Sequence, residues 1–298
     1  MTQNKCCRHG ANLRRRRRRR RKILRSIIFS CSIIAVAVFV AVGSSMIRSG
    51  DGRTNRYDVE AGNNTYDNAV IENSKISEKN KIQNNQSMLD DIMNSTQYPK
   101  QLKDLALKNE EALEFVYDYP TEHVKEHTID LTEEASIDSV PLFVQWDKRW
   151  GYEKYSGNFF AASGCGPTTL SMVVVYLTHN SDASPLAVAK YSKEAGYSVD
   201  GSGSSWTLIS EGCMHYGVKA KAVALDESRM KAELDEGHPI VVNVGPGDFT
   251  DTGHFMVITG YDDEGFSIND PNSIEKSGKR WLFKNISSQI RAVWSMYV

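Results

Sequence analysis

Residues 161–177, AASGCGPTTLSMVVVYL, set Cys165 between two glycines, follow it with Pro167, and continue as a long apolar run. The run is apolar nearly all round, which predicts a buried helix over 165–179. Pro167 suits its first turn, where a missing N–H costs nothing. A cysteine at a helix N-terminus is favoured as the thiolate. Gly164 and Gly166 would let the backbone turn sharply and let another molecule approach. A packing cysteine is a small hydrophobe and has no need of a glycine on either side. The segment therefore reads as a reactive cysteine set at the mouth of a rigid helix.

Around this helix the sequence has the texture of one packed domain from about Val140 to the C-terminus, a span of roughly 160 residues. SPLAVAKYSKEAG, SWTLISEGCMHYG and ESRMKAELDEG read as helices ending at glycine, and PIVVNVG, HFMVITGYD and GFSIND as strands. Helices first and strands last predict an α+β domain rather than a βαβ repeat.

A thiolate mechanism requires a base. His9, His123, His127 and His179 are poorly placed by their positions along the chain. His215 and His238 lie near loop ends, whereas His254 follows Gly253 and opens a strand, where its ring can face a cleft. A third polar group orients such a base. The chain turns at DDEG and returns as FSINDP, so a hairpin brings Asn269, Asp270 or Asn272 back beside the start of the first strand. Asp270 is the choice among the three.

The stretches VPLFVQWDKRW, SGCGPTTLSMVVVYL, GHPIVVNV, GHFMVITGYD and INDP, in that order, resemble a C39-like cysteine peptidase domain with the papain-like fold. The resemblance covers residues 139–298 and also touches the helical segment ahead of them. It implies Cys165 as nucleophile, His254 as general base and later acid, Asp270 as orienting residue, and Gln145 as the side-chain donor of an oxyanion hole. An amide side chain beside a backbone N–H is what a tetrahedral oxyanion requires. The implied fold has a helix carrying the cysteine packed against an antiparallel sheet.

The N-terminal part reads differently. Residues 1–25 carry 12 basic side chains and no acidic ones, which leaves 24 basic against 37 acidic residues in 26–298. Residues 26–47 hold no charge and are long enough for a transmembrane signal anchor, with the basic flank cytoplasmic and the C-terminal domain extracellular. Residues 48–97 are polar and poor in aromatics, and read as a disordered stalk. Residues 98–138 read as a helical preamble, with Pro99 in a first turn and Pro120 as a stop.

Five cysteines, two of them (Cys165 and Cys213) beyond the span, do not make a disulfide framework, although one Cys165–Cys213 bridge would block thiol chemistry. HExxH, GxSxG and Walker-type motifs are absent, so no metal or cofactor is expected. Placed against a span, the arginine run is an orientation signal rather than a nucleic-acid patch. The expected partners are the membrane and a peptide or protein substrate, with cell-wall peptide as an alternative. A non-catalytic surface binding module of the same fold is the rival reading. The sequence leaves the oligomeric state open.

Overall fold

Strand-forming residues alternate through the last third of the chain, and the computed structural model assembles them into one six-stranded sheet. The structure describes residues 64–298. The basic tail 1–25, the expected span 26–47 and residues 48–63 of the expected stalk lie outside the described residues. Among the described residues no helix is long and apolar enough to cross a membrane.

The sheet consists of β1 (Lys219–Ala222), β2 (Ile240–Val244), β3 (His254–Asp262), β4 (Gly265–Asn269), β5 (Arg280–Trp281) and β6 (Ile290–Tyr297), in the order β1-β6-β2-β3-β4-β5. Every neighbouring pair is antiparallel. Strand side chains alternate between faces, and both faces are covered. Val241, Phe255, Val257 and Met296 meet one apolar cluster, which contains the helix residues Leu170, Met172 and Val173. Ile240, Val242, Met256 and Ile258 meet the other, which contains Met230 and Leu234. That is why β2 reads as an unbroken apolar run and is buried at all five positions. The architecture is thus mixed helix and sheet, with the strands late in the chain, as the element order predicts. β1, β5 and β6 were not read from the sequence. β6 inserts between β1 and β2, so the last strand of the chain joins the edge strand β1 to the rest of the sheet.

Six helices are labelled here: α1 (Asn64–Asn94), α2 (Lys100–Lys108), α3 (Leu113–Tyr117), α4 (Cys165–Thr178), α5 (Pro185–Glu194) and α6 (Glu227–Asp235). α4 is buried from Gly166 to Tyr176, in line with its all-round apolar character, and ends with His179 in the left-handed conformation. α5 begins at a Ser184 cap that accepts the Ala187 N–H.

The N-terminal elements bring two corrections. Residues 64–94 of the expected disordered stalk are helical. Their composition is polar, but Met88, Leu89 and Ile92 pack into a cluster with Leu102, Leu105 and Phe115. Such tertiary packing, rather than propensity, stabilises most helices. Pro120 is also not a plain stop. α3 ends at Tyr117, and Pro120 then occupies the first turn of the short helix Tyr119–Glu122. Phe159 and Ala161 of the following domain belong to the same apolar cluster, and Phe115 stacks on Tyr152 at 4.2 Å between ring centroids. The residues Ala69–Val298 form one compact unit.

Candidate active site

Cys165 is the first residue of α4 and is half-buried. α4 crosses the start of β3, where the Thr169 hydroxyl donates to the Phe255 carbonyl at 3.1 Å. That crossing sets the helix mouth beside His254, the first residue of β3, which is paired with Val244 of β2. β3 and β4 form the expected hairpin. Asn269 lies opposite Val257, so the next residue, Asp270, returns towards the beginning of β3. His254 Nε2 and Asp270 Oδ1 are 2.7 Å apart, with both side chains buried. The thiol and the His254 ring line one depression and lie close enough for each to shift the other's ionisation. Because Nε2 is engaged by Asp270, Nδ1 is the nitrogen left for the sulfur.

The electrostatics favour an ion pair. Burial opposes ionisation of Cys165. The His254 hydrogen bond and charge, together with N–H donation from Phe255 and Gly166, outweigh it and hold the thiol below its usual value. Burial likewise opposes charge on His254, but the Asp270 carboxylate and then the thiolate raise the imidazole well above its usual value. Cys213 is the contrast: burial pushes its thiol up to about 11. Both thiols are free, so the bridge that would have blocked chemistry is not formed.

Asn269 and Asn272, the other candidate orienting groups, take different places. Asn269 Nδ2 donates to the Val140 and Pro141 carbonyls at 3.1 and 3.0 Å, anchoring the segment that leads to Gln145. Asn272 donates its N–H to Asp270 Oδ1 at 2.8 Å and accepts from Gln145 Nε2 at 3.3 Å on its own Oδ1.

Gln145 is buried and lines the same depression as Cys165 and His254. Its Nε2 also donates to the Ala161 carbonyl at 2.7 Å, and its Oε1 has no partner. Both amide hydrogens therefore have protein acceptors here, and the 3.3 Å bond is the weaker.

The glycines beside Cys165 serve a purpose other than the sharp turn expected of them. Gly164 has φ −84°, an ordinary backbone value. A side chain there would run into the Phe160 ring, and one at Gly166 would run into Ser204. Both are glycine because neighbouring side chains pack directly against the backbone that carries Cys165.

Two depressions of about 560 and 500 Å³ share Cys165, Asn158, Ala162, Thr252 and Gly253 in their lining. One continues over Gly203, Ser204 and the half-exposed Trp206. The other continues over His254, Asn272 and the α2 residues Asp104 and Lys108. An extended chain laid across both would pass over the sulfur. The reach of α2 into this cleft was not legible in the sequence.

A family model described as the Peptidase_C39 like family matches residues 137–298. Among solved structures, the peptidase domain of Streptococcus ComA, a bi-functional ABC transporter involved in a quorum sensing pathway, is 20% identical. That alignment covers 53% of this chain and 96% of that one, with a TM-score of 0.39. A C39-like peptidase from Bacillus anthracis is 17% identical over 57% of this chain and 98% of that one, with a TM-score of 0.33. No curated protein matches.

Proposed function

The chain belongs to the Peptidase_C39 like family through residues 137–298, and on that premise we propose that it is a cysteine peptidase of papain-like fold with Cys165, His254 and Asp270 as its triad. The observation that carries the reading is the convergence of a helix-mouth thiol, a buried imidazole in the same depression, and a buried carboxylate 2.7 Å from a ring nitrogen. In this reading the Cys165 thiolate attacks the substrate carbonyl carbon, and the C=O electron pair moves onto oxygen. Collapse of the adduct expels the amine, which takes its proton from the His254 imidazolium and leaves a thioester on Cys165. Neutral His254 then accepts a proton from water as the water attacks the thioester. Collapse of this second adduct breaks its C–S bond and releases the acid and the Cys165 thiolate, while His254, holding the proton taken from water, is again the imidazolium. Asp270 holds the ring and stabilises its charged form.

The oxyanion forms beside the N-terminus of α4, whose first N–H groups lack intrahelical acceptors. Gln145 donates to it once the 3.3 Å bond to Asn272 gives way to the stronger acceptor. Pairing with a full negative charge exceeds what that long amide contact contributes.

The test is alkylation of the folded protein by iodoacetamide across pH, read separately at each cysteine by mass spectrometry. Cys165 labels with a midpoint below an ordinary thiol's and Cys213 labels slowly throughout. In His254→Ala the Cys165 midpoint rises. Equal labelling of Cys165 and Cys213 in the wild type would sink the assignment.

We further propose that residues 26–47 anchor the chain in a membrane, with the catalytic domain outside the cytoplasm. Support comes from 22 uncharged residues preceded by the arginine run. The full chain is expected to stay in the membrane pellet through alkaline carbonate extraction, and a chain lacking residues 1–47 to be released. Release of the full chain in the same wash overturns the anchor.

A further inference from the structure

We propose that the helical segment preceding the family domain is a positioning element of the catalytic centre, acting through Asn109 and Glu111 on the loop that carries Asp270. The segment lies before residue 137, where the family match begins. Asn109 is buried, and its Nδ2 donates to the Asn272 carbonyl at 2.9 Å and to Asn272 Oδ1 at 3.2 Å. Its own Oδ1 accepts the Glu111 N–H at 3.1 Å, so the amide is held at both ends. Asn272 in turn donates its N–H to Asp270 Oδ1, the oxygen that meets His254. Asn109 is therefore one residue removed from the carboxylate–imidazole pair, from a position 163 residues earlier in the chain than Asn272.

Glu111 grips the next stretch. Its carboxylate accepts from the Ser273 hydroxyl, from the Ile274 N–H at 2.8 Å and from the Glu275 N–H at 3.1 Å. Those N–H groups open the short helix Ile274–Ser277, where no intrahelical acceptor exists. The same helix holds Asp270, whose N–H donates to Ser277 Oγ at 2.9 Å. Asp270 Oδ2 has no partner of its own. The carboxylate is thus oriented by its Oδ1 contacts and by the backbone of this loop. Two side chains of the preamble fix the loop, and the apolar cluster that includes Ile92, Leu102 and Phe159 fixes the preamble.

The inference rests on the cysteine-peptidase reading, and its readout requires no known substrate. The Asp270 carboxylate faces the imidazole, Tyr155 feels the charge of Cys165, and Asp104, Lys108, Asp248, Asp251 and Lys276 line the depression beside the pair. Asn109→Ala and Glu111→Gln in the full chain are compared with wild type for the pH midpoint of Cys165 alkylation. Each raises the midpoint by about one pH unit, so that labelling below it slows about tenfold. In an Asp270→Ala background neither adds a further shift, because the group they position is gone. Asn85→Ala, which removes a 2.7 Å bond to Glu110 in the same segment, leaves the midpoint in place. Should Asn109→Ala fail to fold, the near-isosteric Glu111→Gln decides. A lowered wild-type midpoint that neither variant moves overturns the positioning role and leaves the peptidase reading standing, even where thermal stability falls. An ordinary wild-type midpoint overturns both.

Discussion

Cys165→Ala is expected to remove hydrolysis: kcat falls by at least about 10⁴-fold against any peptide the wild type cleaves. In the proposed mechanism the Cys165 thiolate forms the acyl intermediate. The rest of the site keeps its geometry, because Cys165 is half-buried and α4 is anchored by the apolar residues behind it. Cys165→Ser is also expected to be inactive: an alcohol stays protonated where a thiol beside His254 ionises. The measurement is digestion of a peptide library, with new amino termini counted by mass spectrometry. Cleavage by the alanine variant within tenfold of wild type would remove Cys165 from the mechanism.

Asp270 has the second large effect, and its two substitutions separate charge from geometry. Asp270→Ala leaves His254 buried without its partner. Breaking such a pair costs about 3–5 kcal/mol of stability, and freeing the ring lowers kcat by roughly 10²–10⁴-fold. Asp270→Asn keeps an acceptor for the Nε2 proton but removes the charge that raises His254.

In the proposed mechanism activity requires the thiolate with the imidazolium. The wild-type rate therefore rises with pH through the lowered Cys165 value and falls through the raised His254 value, and both limbs belong to the coupled pair. In the asparagine variant the alkaline limb moves down towards the ordinary histidine range near about 6.5. The window then narrows from its basic side. A kcat profile for Asp270→Asn that superimposes on wild type would show that the carboxylate charge does not act on the imidazole.

Stability follows the same linkage. The His254 contribution is complete below the unfolded imidazole value and is lost as pH rises through the folded value. The Cys165 contribution is present above the unfolded thiol value and is lost as pH falls through its lowered folded value. Between these limits the folded protein holds the ion pair that the unfolded chain does not.

Cys165 and His254 were legible because each sits at the end of a regular element with a local signature. A glycine–proline start followed by an all-round apolar run marks α4. A glycine followed by a short apolar run marks β3. The β3–β4 hairpin is a local structure, so its register brings Asp270 home without reference to the rest of the chain. Gln145 was placed only by resemblance, and the commitment of its amide to Ala161 and Asn272 has no local trace. The sequence also led to the wrong reason for the two glycines, because Phe160 and Ser204 reach them only after the chain has packed.

What the sequence determined by itself, then, is the position of each reactive group on its own helix or strand, since periodicity and capping act over a few residues. The tertiary structure alone decided that β6 completes the sheet. It alone decided that residues 64–94 form a helix tied down by Ile92, and that Asn109 and Glu111 reach the Asp270 loop. These are contacts between groups as many as 164 residues apart. Their free energy appears only once folding has met the entropy of closing the intervening chain, and no short-range pattern records it.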